Sequence, residues 1–197
     1  MSTKGDKTRE AILQATVKLL DEADVFSQLQ IRDIAREAGV SDGSPNYYFG
    51  SKDNLVSEAV YSNAESWLKW WFRFSSNIEL PPEQKIWVLV KNLGNYYSKH
   101  PNLVKTSLQN DLFMRYKDCI RSRFITEVLI PLNRELAPHK TEEEIKIIAY
   151  TFADTFDLVF LRAVSAHPDP DFDYFNKQNR DKYFDKMIGL QLQLLKL

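Results

Sequence analysis

The run from Gln30 to Leu55, QIRDIAREAGVSDGSPNYYFGSKDNL, constrains the fold more than any other part of the chain. Ile31, Ile34, Ala35 and Ala38 recur at i, i+3, i+4 and i+7, which gives a short helix one apolar face. Gly39 marks a tight turn, Val40 carries apolar contact across it, and Tyr48, Phe49 and Leu55 supply the next apolar positions. Between them stand Ser41, Asp42, Ser44, Asn46 and Tyr47, hydrogen-bonding groups for which a core has no use. This is the layout of a helix-turn-helix, whose second helix enters the major groove of DNA.

The rest of the chain also reads as helix. Ile12, Ala15, Thr16, Leu19, Leu20 and Ala23 predict an amphipathic first helix near residues 6–23, and Ser27 with Gln30 matches a capping box opening the second. A long helix runs from Asn54 to near Phe74 and stops before Pro81-Pro82. The next covers Glu83 to Lys99 and ends at His100-Pro101, because proline disfavours helix in the residue before it. Residues 102–137 predict a short helix and a longer one kinked by Pro131. Thr141 and Glu144 form another capping box, followed by Ile145, Ile148, Ala149, Phe152, Phe156 and Phe160 in a helix reaching Ala166. After the loop His167-Pro168-Asp169-Pro170-Asp171, a last helix from Tyr174 carries Phe184, Met187, Ile188, Gln191, Leu194 and Leu195 on one face. No strand pattern or repeat interrupts this series, so the expected class is all-α.

Composition narrows the function classes. No apolar run approaches the ~20 residues of a membrane span, and the polar start MSTKGDKTRE reads as neither signal nor anchor. One cysteine, Cys119, leaves no internal disulfide and fits a reducing, cytoplasmic setting. His100, His139 and His167 are scattered, and no metal, phosphate-loop or nucleophile motif appears. The expectation is therefore a protein without enzymatic activity, metal or cofactor. Charge permits nucleic acid binding without suggesting it. Residues 1–60 carry seven Lys and Arg against ten Asp and Glu, a net −3. Lys4, Lys7 and Arg9 crowd the N-terminal arm, however, and Arg32, Arg36 and Lys52 flank the reading segment.

Residues 8–60 resemble the TetR family of bacterial transcriptional regulators. The likeness rests on REAILQATVKLL followed by IRDIAREAGVS-x-GS-xxx-YF-x-SKDNL, including Tyr48-Phe49 and Ser51-Lys52-Asp53, which a generic helix-turn-helix would not share. The resemblance implies a three-helix DNA-binding domain at residues 1–53 and a larger helical effector-binding and dimerisation domain at 54–197. It implies phosphate contacts from Ser44, Tyr48 and Lys52, with Gln30 and Arg32 at the opening of the second helix, where the DNA backbone is met. Asp42, Gly43, Asn46 and Tyr47 match positions facing base edges; Asn can bond adenine in a bidentate way, and Tyr can meet a thymine methyl. The residues also permit other readings: Lys52 as a solvated helix-start lysine, Tyr48 as a core ring, Arg36 as a solvent-facing side chain.

The chain departs from the family pattern in places. Asp42 replaces a frequent lysine and is expected to read cytosine or lie outward. Val25 and Leu29 stand where small or hydroxylated residues are common. Pro45 replaces a large apolar residue, which predicts a reading helix with Ser44 as N-cap and Pro45 first, where proline is tolerated.

In such regulators the second domain binds a small molecule. Candidate lining residues are Trp67, Trp71, Trp87, Asn92, Tyr96, Asp111, Phe113, Arg115, Phe152, Asp154 and Phe156, an aromatic set with a few polar groups that serves a pocket or a core equally well. Asp154 and Asp157 lie in a mostly apolar helix and are expected to orient a ligand or to pair with an arginine at a dimer interface. The last two long helices are apolar beyond one stripe, which predicts a homodimer packed through a four-helix interface. The expected partners are thus an operator DNA, a small-molecule effector and a second copy, with no membrane. The competing readings are an all-helical ligand-binding or enzymatic protein retaining a non-functional helix-turn-helix, and a partner-binding module that touches no DNA.

Overall fold

The computed structural model describes residues 3–22, 29–113, 120–165 and 168–197. Among them all regular structure is helical: α1 (Lys4–Glu22), α2 (Ile31–Glu37), α3 (Ser44–Phe49), α4 (Lys52–Ser76), α5 (Pro82–Lys99) and α6 (Pro101–Phe113). These are followed by α7 (Ile120–Phe124), α8 (Ile130–Leu136), α9 (Glu142–Ala163) and α10 (Lys177–Lys196). The chain divides into two compact units, Met1–Trp67 with His100–Arg115, and Leu68–Lys99 with Tyr116–Leu197.

In the first unit α1 starts with a reciprocal cap. The Thr3 N–H donates to Asp6 Oδ2 at 2.8 Å and the Asp6 N–H donates to Thr3 Oγ1 at 3.1 Å. Its inward face, Ile12, Leu13, Ala15 and Leu20, packs with Leu29, Ile34, Phe49, Leu55, Val56, Ala59 and Val60. Leu103 of α6 completes this cluster, although α6 follows α5 in the chain. His100, just before α6, places Nδ1 2.6 Å from Asp21 Oδ2 at the end of α1.

In the second unit α9 opens on the expected capping box: the Glu144 N–H donates to Thr141 Oγ1 at 3.3 Å and the Thr141 N–H to Glu144 Oε2 at 2.9 Å. Asn176 caps α10 by accepting from the Gln178 and Asn179 N–H groups. Ile86, Leu89 and Val90 of α5, Phe152, Phe156 and Phe160 of α9, and Phe184 and Ile188 of α10 are all buried in this unit. The irregularity expected at Pro131 takes the form of a π-helical turn, Ile125–Leu129, directly before α8. The widened turn precedes a residue that has no N–H to give to an ordinary helical bond.

Two local expectations are corrected. Gln30 is extended (φ −110°, ψ 145°) and is itself the N-cap of α2, with no side-chain cap bond. It therefore does not occupy the third helical position that a Ser27–Gln30 capping box requires, and Ser27 lies outside the described residues. Leu194 is 48% exposed while Phe184, Met187, Ile188, Gln191 and Leu195 are buried. It belongs to an outer row of α10 rather than to the core face. No described helix is long and apolar enough to cross a membrane.

Candidate nucleic-acid interface

The turn between α2 and α3 is built by a left-handed glycine. Gly39 has φ +66°, its N–H donates to Arg36 O at 3.2 Å, and the Val40 N–H donates to Ala35 O at 3.0 Å. Those two bonds satisfy the last carbonyls of α2 and reverse the chain, a Schellman ending that a Cβ would strain. Ile34 and Ala35 are buried, so α2 is fixed against the core of its unit.

The reading helix α3 starts one residue earlier than expected. Gly43 is the N-cap, Ser44 the first helical residue and Pro45 the second. The correction keeps the physical point, because the N–H groups of the whole first turn lack intrahelical acceptors and proline loses nothing there. The start is held by the Ser44 N–H donating to Ser41 O at 2.9 Å and by the Ser41 and Ser44 hydroxyls 2.8 Å apart. Its end is Gly50, at φ +75°, whose N–H donates to Asn46 O at 2.9 Å.

Six residues suffice to give α3 two faces. Pro45 and Phe49 are buried. The Arg9 guanidinium lies 5.0 Å from the Phe49 ring centroid and pairs with Glu58, fastening α1 and α4 around that ring. On the other face Asp42, Gly43 and Asn46 are exposed, and Tyr47 is 84% exposed. Tyr48 is half-buried, its ring edge-on to Tyr47 at 5.1 Å between centroids. Ser44 and Lys52 are half-buried, Lys52 as the first residue of α4, while Gln30 and Arg32 are exposed at the start of α2. All nine residues proposed for DNA contact thus lie on α2, α3, the turn before α3 and the start of α4. Arg36 is engaged within its own helix, 2.8 Å from Asp33.

The residues proposed to line an effector site are divided between the two units. Trp67 and Asp111 belong to the first unit and are half-buried. In the second unit Trp71, Phe152 and Phe156 are buried, and Asp154 is exposed. Trp87 carries Lys91 Nζ 5.3 Å from its ring centroid, Asn92 donates back to Val88 O at 2.8 Å, and Tyr96 stands beside Tyr97. Arg115 and the side chain of Phe113 lie outside the described residues.

What the second unit does bring together is a polar group inside an aromatic shell. Asp157, 6% exposed, accepts from Arg121 Nε at 2.7 Å and from the Tyr97 hydroxyl at 3.0 Å; Arg121 also pairs with Asp154. The pairing with an arginine foreseen for these two acids therefore occurs within one chain. Burial pushes the Asp157 carboxyl up to about 6, against the pull of Arg121 and Tyr97. Burial, reinforced by Asp157, also raises the Tyr97 phenol well above its usual range. The rings of Phe156 and Phe160 stand edge-on to Tyr97 at 5.2 and 5.0 Å. Arg121 had no signal in the sequence, since its partners lie more than thirty residues away.

Comparison with known proteins bears on both units. Residues 12–59 match the family described as bacterial regulatory proteins, tetR family. The HTH-type transcriptional repressor NicS of Pseudomonas putida is 34% identical over 108 residues, 51% of this chain and 47% of that protein. The chain thus matches about half the length of that relative. Among solved structures, a TetR transcription regulator from Haloarcula marismortui is similar with a TM-score of 0.66 at 21% identity, covering 93% of this chain and 97% of that one. FadR from Bacillus subtilis, solved in complex with stearoyl-CoA, is similar with a TM-score of 0.59 at 16% identity, covering 95% and 96%. At these identities the structural likeness establishes the fold.

Proposed function

We propose that this chain, which carries the TetR-family domain in residues 12–59, is a DNA-binding transcriptional repressor that works as a homodimer and is released from its operator by a small-molecule effector. The observation that carries the reading is the two-faced α3. Pro45 and Phe49 hold it to the core while Asn46 and Tyr47 project from the other side. Asn46 and Tyr47, with Asp42 and Gly43, would meet base edges; Ser44, Tyr48, Lys52, Gln30 and Arg32 would meet the backbone.

Dimerisation is supported by two rows of exposed apolar side chains. Ile147, Tyr150 and Leu158 share one face of α9, and Leu190 and Leu194 share one face of α10, with exposed Leu197 just beyond its end. Large side chains left uncovered in rows on neighbouring helices mark an association surface. A two-fold dimer would place two copies of α3 on half-sites about 34–36 Å apart, or a multiple of that repeat. Two copies also compensate for a reading module that is short and net acidic.

Effector control follows from linkage: a ligand that binds the DNA-incompetent form more tightly lowers operator affinity by that difference. The test is a mobility-shift series on genomic fragments over a range of salt, with footprinting of any fragment retained. A near-palindromic footprint supports the proposal; the absence of specific retention at every salt concentration overturns it.

A further inference from the structure

Arg180 is a buried cation without an acid. It is 3% exposed at the start of α10, and among the described residues no carboxylate lies within ion-pair distance of it. Its Nη1 donates to the backbone oxygen of Tyr174 at 2.8 Å and its Nη2 to Asn95 Oδ1 at 2.7 Å, both neutral acceptors. Its Nε has no hydrogen-bond partner. The half-buried Arg121 of the same unit behaves oppositely, since it meets both Asp154 and Asp157.

Tyr174 presents the same deficit. It is 1% exposed, its ring centroid lies 5.7 Å from the Arg180 guanidinium carbon, and its hydroxyl has no partner either. Burial holds its phenol protonated far above the usual range, so the hydroxyl is available as a donor. The surroundings are aromatic: Phe160 at 5.5 Å, Phe184 at 6.0 Å and Phe172 at 6.2 Å, each edge-on to the Tyr174 ring. Phe172 also lines a neighbouring pocket of about 90 Å³ with Val159, Arg162, Ala163, Asp169 and Tyr183, whose lining does not itself include Arg180 or Tyr174.

We propose that Arg180 and Tyr174 form the anion-receiving end of the effector site, and that the effector is a small carboxylic acid with an apolar body. This rests on the reading of the chain as an effector-controlled regulator. Buried charges are normally paired, because an uncompensated one is costly. The Nε–H of Arg180 and the Tyr174 O–H, both on atoms without a partner, suit the two oxygens of a single carboxylate, whose one charge Arg180 balances, whereas a dianionic phosphate would bring a second charge that Arg180 does not offset. The two bonds Arg180 already makes tie the turn before α10 to α5. That scaffolding needs donors but no charge, and the contact of the guanidinium with the Tyr174 ring offsets only part of the cost of burying the cation.

The experiment titrates the purified full chain with benzoate and hexanoate, and with benzamide and sodium chloride as controls, reading thermal shift and calorimetric affinity. At least one acid is expected to bind saturably, with benzamide and chloride inert. Tyr174→Phe keeps the ring and removes only the hydroxyl; it is expected to weaken the acid roughly tenfold or more, the effect of one hydrogen bond to a charged group. Arg180→Lys retains charge and is expected to keep preference for the acid over the amide at reduced affinity. Equal binding of amide and acid, equal shifts by chloride, unchanged affinity in Tyr174→Phe, or no binding of either acid overturns the proposal. Operator binding measured without acid separates the readings: specific DNA retention with no acid response sinks this inference alone, and no specific retention sinks the regulator reading.

Discussion

Gly94 of α5 lies directly against the ring of Phe184 of α10. A Cβ at Gly94 would stand 2.9 Å from Cζ and 3.2 Å from Cδ2 of that ring, and closer still to Cε2. The ring cannot step aside easily, because Phe184 is fully buried and stacks on Phe156 at 5.1 Å. Gly94→Ala is therefore expected to lower stability by about 1–3 kcal/mol, the usual cost of overpacking, despite the higher helix propensity of alanine. Urea unfolding of the two proteins measures it; an equal or higher midpoint for the variant would show that α5 and α10 separate without strain.

Asn46 and Tyr47 should be replaceable without cost to the fold. Both are exposed, and neither contributes to the core that Pro45 and Phe49 bind. Asn46→Ala is expected to lose ~1–3 kcal/mol of discrimination between the operator and its base-substituted forms while the melting temperature stays put. Weakening of specific and non-specific DNA alike would instead assign Asn46 to the phosphate backbone.

Leu158→Asp and Leu190→Asp put a charge into each exposed apolar row. Light scattering is expected to show a monomer, with helicity unchanged and operator affinity sharply reduced. A variant that remains dimeric would place the association surface elsewhere.

Asp157 sets a pH dependence of known sign. Its folded carboxyl titrates at about 6, against an ordinary value of 3.8, because burial opposes its ionisation. Between those values the folded chain holds a proton that the unfolded chain has released. The stabilising contribution is thus fully present below about 3.8 and is lost as pH rises through about 6. Asp157→Asn should flatten this part of the stability profile, measured as the wild-type minus variant difference by denaturant titration from pH 4 to 7. A difference that grows in the opposite direction would mean that Arg121 dominates over burial.

The readable parts of the chain were those whose cause is local. Gly39, the Thr141–Glu144 box and the apolar spacing of α1 and α9 each act over one or two turns, and the structure bears them out. The starts of α2 and α3 shifted because N-cap chemistry admits neighbouring solutions: Gln30 took the cap itself, and Gly43 took the one expected of Ser44. Leu194 departs from its expected row because α10 is apolar on two sides, and spacing alone does not say which row a leucine joins. The polar interior was the least legible. Asp157 stood out as an acid in an apolar stripe, but Arg121 was hidden by sequence distance. Arg180 precedes Phe184, Met187, Ile188 and Gln191 at helical spacing, on the same buried face, and a cation in that row was the overlooked signal.

The return of α6 to the first unit limits how this reading head can be transplanted. Leu103 is part of the cluster that seats Ile34 and Phe49, and His100 holds the far end of α1 through Asp21. A graft ending at residue 53, or even at Trp67, would carry α3 without the side chain that closes the core beneath it. The head is a mosaic of two chain segments rather than a cassette, so a chimera that keeps its operator specificity has to take α6 along with it.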